Sequence, residues 1–176
     1  MVHMTSTPPR WAVRAAHLCA LVTLPTGIWR LLLATGHTAG YTDAGYAGMD
    51  FTGWGAGYVL GLSVVSEAVA LLSLGLVQPW GEVLPRWIPL WGGRPLPRFA
   101  VVVPAALGAV VLTVVWSPLV AWWALPHPDL TAHGSIVVGL LYLPLAAWGP
   151  LLGAVTVSYH RRRADVNPTV PSIITP

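Results

Sequence analysis

Lysine is missing from this chain, cysteine occurs once, at Cys19, and only six residues are acidic against nine basic ones, all arginine. Charged residues make up 9% of the chain, against roughly a quarter in an average soluble domain. A single cysteine excludes an internal disulfide and any zinc site built on cysteine. There is no glycine-rich phosphate loop, no HExxH and no GxSxG, so soluble-type nucleotide or hydrolase chemistry has no support. The arginines are scattered between apolar stretches and form no single patch, which excludes a nucleic-acid partner. No cofactor is implied.

Apolar residues are abundant instead. They form 55% of the 176 residues, and the mean hydropathy is +0.67. A chain of this length leaves too much of its surface outside any water-excluding core to bury that share, so the remainder calls for lipid. A membrane-crossing helix takes about 20 predominantly apolar residues, and four windows meet that length: 11–34, 57–77, 99–123 and 134–157. The expected fold is all-α, a four-helix transmembrane bundle in one membrane domain, 1–160, with 161–176 a short cytoplasmic tail without order. A signal peptide is the other reading of the first window, but Arg30 interrupts it and it is read as a retained span.

Orientation follows from the arginines. Arg10 and Arg14 open the first span, Arg86, Arg94 and Arg98 lie in the middle connection, and Arg161, Arg162 and Arg163 follow the fourth. The other two connections carry none. The positive-inside rule therefore places both termini and the 79–98 loop in the cytoplasm of a plasma-membrane protein. That loop, PWGEVLPRWIPLWGGRPLPR, has proline and glycine against a long helix, and Trp87, Ile88, Leu90 and Trp91 against a free linker. It reads as an interfacial segment facing anionic head groups, or as a docking site for a partner protein.

Each span can be read for an inward face at helical spacing. Ser135, Gly139, Tyr142, Ala146, Gly149 and Gly153 form one small-residue face in the fourth; Ser63, Ser66, Glu67, Ala70 and Ser73 form another in the second. Ala105, Ala109, Thr113 and Ser117 line up in the third, and Cys19, Thr23, Thr26 and Arg30 in the first. At about 1.5 Å of rise per residue, Arg30, Glu67, Tyr142, Thr113 and Ser63 fall within reach of one another. Glu67 is then expected near the midplane, with Arg30 as its nearest partner and His17 pointing elsewhere. Charges at that depth are expensive and mark functional sites by default, although a buried pair can also simply fix helix register.

Three functions fit. One is a bundle that binds or passes a small hydrophobic or protonatable molecule at Glu67, with Arg30, Thr113, Tyr142 and Ser63 as ligand contacts. Another is an intramembrane enzyme of the isoprenoid (terpene) cyclase type, with Glu67 as the acid, Tyr142 catalytic, and the faces of Trp116, Trp148 or Tyr142 stabilising a carbocation. The third is a structural or regulatory subunit acting through the 79–98 loop, either as a homo-oligomer or with a membrane partner. At the opposite end, His127, Asp129 and His133 in PHPDLTAHG have the chemistry of Zn²⁺ or Cu²⁺ ligands. Their spacing matches no ligand motif, so no metal is assigned and these remain weak candidates.

The stretches GLSVVSEAVALLSLGLVQPWGE, LPRWIPLWGGRPLPRFAVVVPAALGA and WGPLLGAVTVSYHRRR resemble a family of small four-span membrane proteins of high-GC Gram-positive bacteria. The resemblance implies the topology and the source and carries over no catalytic residue.

Overall fold

The computed structural model describes residues 7–51, 53–83 and 93–165. Among them the regular structure is helical, with two isolated bridge pairs and no strand. Four stretches are long and apolar enough to cross a membrane: Arg10–Ala34, Trp54–Gly75, Arg98–Ala124 and Ala132–Ala164. They agree with the four expected windows to within a few residues, except that the fourth continues to the end of its helix at Asp165. The first residues of the expected tail, 161–165, are thus helical; the rest of it, 166–176, lies outside the described residues.

Prolines divide three of the four stretches. The first consists of α1 (Arg10–Leu21) and α2 (Leu24–Ala34). Pro25 has no N–H to give the Leu21 carbonyl, which opens the ladder there. Two threonines bridge the break, Thr23 Oγ1 donating to the Ala20 carbonyl at 3.2 Å and Thr26 Oγ1 to the Thr23 carbonyl at 2.8 Å. A short helix α3 (Asp43–Gly48) follows, and then the uninterrupted α4 (Trp54–Gly75). Next, α5 (Arg98–Trp116) tightens into a 3-10 segment, Ser117–Ala124, at Pro118. In the last stretch α6 (Ala132–Tyr142) passes through a second such segment, Leu143–Ala147 with Pro144, into α7 (Trp148–Asp165).

The first and fourth stretches form the middle of the molecule, with α1 packed on α7 and α2 touching α6. On one side α4 lies along α1 and α2; on the other α5 lies along α7; α4 and α5 share no extended interface. The small-residue face of the fourth stretch is what meets the third. A methyl group on Gly149 would collide with Thr113 and Ala109, and one on Gly139 with the indoles of Trp122 and Trp123. Small residues let helix backbones approach closely where no hydrophobic effect drives association. The inward face of the second stretch is also as expected, with Ala70 and Ser73 buried and Ser63, Ser66 and Glu67 half-buried.

The two ends are finished differently. At the arginine-free end, Thr42 N donates to the Asp129 carbonyl at 2.9 Å and Thr131 N to the Gly40 carbonyl at 3.0 Å. The same two threonines cap helices, Thr42 Oγ1 accepting from Gly45 N and Thr131 Oγ1 from Gly134 N. The connections before α4 and before α6 therefore join into one cap. At the other end α7 reaches outward: Arg162 donates to the Leu76 carbonyl and Arg163 to the Leu96 carbonyl, both at 2.7 Å, and Tyr159 Oη to the Gly81 carbonyl at 3.0 Å.

Candidate functional site

Arg30 sits on α2, nearly two turns past the break in the first stretch, and is buried, with 5% of its surface exposed. The predicted face of Cys19, Thr23, Thr26 and Arg30 is buried along its whole length. The Arg30 guanidinium lies over the ring of Tyr142, 5.6 Å from its centroid. Tyr142 is the last residue of α6, directly before the 3-10 interruption of the fourth stretch. Both interruptions thus lie in the central pair; the second adjoins the ring under the Arg30 guanidinium, and the first lies about 9 Å before Arg30 along α2. Broken helices around a polar centre are how membrane carriers expose backbone groups to a ligand.

Aromatic rings enclose this centre. Trp29 meets Tyr142 edge-on at 5.5 Å, and Trp116 of α5 is tilted against the same ring at 6.0 Å. Towards the cap the ring contacts continue from Trp29 to Tyr41, at 6.0 Å, and from Tyr41 to Phe51, at 5.3 Å. Trp29 Nε1 donates to the Ala39 carbonyl at 2.9 Å and Tyr46 Oη to the Leu33 carbonyl at 2.6 Å, pinning the cap to α2. The indole N–H groups of Trp116 and Trp148 are buried with no acceptor among the described residues.

Glu67 lies beside this centre and does not pair with it. Its Oε1 is placed against α2 at Gly27, 3.3 Å from where a methyl group on that glycine would sit. Gly27 is one helical turn before Arg30, about 4.5 Å along the axis. Arg30, expected as the nearest partner of Glu67, makes no ion pair with it. Among the described residues an ion pair joins Arg162 to Glu82 instead, at 3.8 Å. Straight parallel helices would bring the two side chains of Arg30 and Glu67 together; the Thr23–Pro25 break and the Tyr142 ring take the guanidinium elsewhere.

The other expected members of the cluster are occupied on their own helices. Ser63 Oγ donates to the Val59 carbonyl at 2.9 Å and Thr113 Oγ1 to the Ala109 carbonyl at 2.7 Å, the usual back-bonding of hydroxyls on helices. Thr113 is an exposed residue facing Gly149. His17 is exposed, with Nδ1 on the Val13 carbonyl at 2.7 Å.

At the cap, His127 is stacked on Trp122 at 3.7 Å, the Asp129 main chain serves Thr42, and His133 is exposed. No group of three histidine, cysteine, aspartate or glutamate side chains that could hold a metal is present among the described residues. The Trp87, Ile88, Leu90 and Trp91 segment expected to dock head groups or a partner lies outside the described residues.

Sequence reading passed over the Trp29–Tyr41–Phe51 succession and Glu82. The Trp29–Arg30 dipeptide, in a span with an inward polar face, was the available signal for the first. Compared with known proteins, the chain matches no family, no curated protein and no solved structure.

Proposed function

We propose that this is a multi-pass plasma-membrane protein that binds a small amphipathic molecule inside its helices, at Arg30, Tyr142 and the neighbouring Glu67. Four apolar stretches of spanning length support the membrane reading. In the sequence, every arginine but Arg30 lies at the start of the first stretch, between the second and the third, at the start of the third or at the close of the fourth, which supports cytoplasmic termini. The resemblance to four-span proteins of high-GC Gram-positive bacteria belongs to the same reading.

One observation carries the ligand: Arg30 is buried and has neither an ion pair nor a hydrogen-bond acceptor among the described residues, only the Tyr142 ring. A cation in the middle of a bilayer costs at least about 2.5 kcal/mol, and buried charges are normally paired. The ring offsets part of that cost, about 2 kcal/mol where water is excluded. A ligand with a carboxylate or similarly strong acceptor would complete the balance, its apolar part lying on Trp29 and Trp116. No geometric feature favours the isoprenoid-cyclase reading, because the Glu67 carboxyl rests on Gly27 and the rings gather around Arg30.

Tryptophan fluorescence tests this in nanodiscs of zwitterionic lipid, with dodecanoate and dodecanol as probes. Saturable quenching by the carboxylate alone is expected, weakened about tenfold in Arg30→Met, equivalent to about 1.4 kcal/mol. Equal quenching by the alcohol, or an Arg30→Met protein that folds and still binds, would discard the reading and leave Arg30 a structural cation. Arg30→Lys keeps the charge and serves as the second variant if methionine is not tolerated.

A further inference from the structure

We infer that the arginine-rich end carries a second, separate site: a lateral pocket for the phosphate of an anionic phospholipid. The pocket is an open groove of about 450 Å³ between the start of α1 and the last turns of α7, with Pro9 and Trp11 on one wall and Ala154, Val157, Arg161 and Arg162 on the other. The α7 residues recur at three- and four-residue steps and so lie in one stripe on the helix. Along that stripe, over about 10 Å, the lining passes from the apolar Ala154 and Val157, through the hydroxyl of Ser158, to two guanidinium groups. A phospholipid has the same succession from acyl chain through glycerol to phosphate.

The two arginines differ. Arg162 is committed to Glu82, to the Leu76 carbonyl and to the Tyr159 ring. Arg161 is exposed and makes no ion pair or hydrogen bond with the described residues. Its guanidinium is the one available to an incoming phosphate, which it fits with two parallel donors. Trp11 is half-exposed, as expected for an indole at the level of lipid head groups. Basic pockets between spans on the cytoplasmic side are where anionic head groups bind. The site depends on the protein lying in a membrane but not on a ligand at Arg30.

Native mass spectrometry of delipidated protein, offered phosphatidylglycerol and phosphatidylcholine in equal amounts, reads the site directly. Wild type should retain the anionic lipid about fivefold better, the effect of one arginine near a lipid surface. Arg161→Gln should abolish that preference, and Trp11→Leu should reduce it. Arg14→Gln, which removes an exposed charge of the same end outside the pocket, should leave it intact, as should Arg30→Met. Equal losses in Arg14→Gln and Arg161→Gln would mean diffuse attraction and overturn the proposal, as would no preference in wild type. Displacement of the lipid by millimolar inorganic phosphate would reassign the pocket to free phosphate and overturn the lipid as its occupant.

Discussion

At the arginine-free end, two chain segments bond directly to each other through Thr42, Asp129, Gly40 and Thr131, whereas at the opposite end a similar main-chain contact, Leu96 N to the Glu82 carbonyl, is supplemented by side-chain ties from Tyr159, Arg162 and Arg163 of α7. Main-chain pairing demands close approach, and glycine supplies it. Gly40 and Gly134 face each other with no room for a side chain between them, and Gly40 has a φ of 103°, a region that L side chains rarely enter. Long guanidinium groups tolerate larger separations but make the closure depend on charge. Both ends need close backbone approach, at Gly40 and Gly134 in the cap and at Gly75 and Gly81 opposite, and the arginine end depends on charge as well.

The comparison breaks first at Gly134. A side chain there meets the Gly40 main chain, and neither backbone can yield. Gly134→Val should cost about 3 kcal/mol, the upper part of the usual overpacking range. Hydrogen exchange should show protection lost around 40–45 and 129–135 and kept around 76–82; equal loss at both ends would mean that they do not close independently. A smaller effect is expected from Arg162→Ala, which removes the Leu76 bond and leaves the half-buried Glu82 without this partner. About 2 kcal/mol should be lost, with the exchange pattern reversed between the ends.

The smallest effect sharpens the contrast through pH. Tyr41, in the cap, is raised above the phenol value of 10.0, first by burial and then by the nearby Tyr142 and Asp129. The folded chain thus holds this proton when the unfolded chain has released it. Stability from Tyr41 is complete below about pH 10 and declines as pH rises towards the folded value. Alkaline melting curves should flatten in Tyr41→Phe, and in Arg162→Ala the Tyr41-dependent slope should remain.

Much of the architecture was legible because hydropathy acts locally. The four stretches follow from apolar length, but proline alone does not locate the breaks, since Pro25 and Pro144 stand at interruptions while Pro104 and Pro150 lie inside α5 and α7. The buried Cys19–Arg30 face was readable for the same reason, since helical spacing needs no knowledge of neighbours. The partner of Arg30 was not readable. Its choice of Tyr142 over Glu67 depends on how two broken helices meet, and the hydroxyls of Ser63 and Thr113 were already claimed by their own backbones. Neither Arg162–Glu82 nor Thr42–Asp129 carries a local signature, because each joins residues far apart in the chain.

The third stretch, Arg98–Ala124, is the most apolar of the four and the least covered by the rest of the molecule, and its main support, α7, lies downstream. On the membrane reading this sets an order of biogenesis. When α5 leaves the ribosome its partner has not been synthesised, so it must reside in lipid on its own hydropathy. It can lock onto the Gly149 surface only as the chain nears completion. The surplus of valine and leucine along α5 is then a requirement of waiting, met before any packing exists.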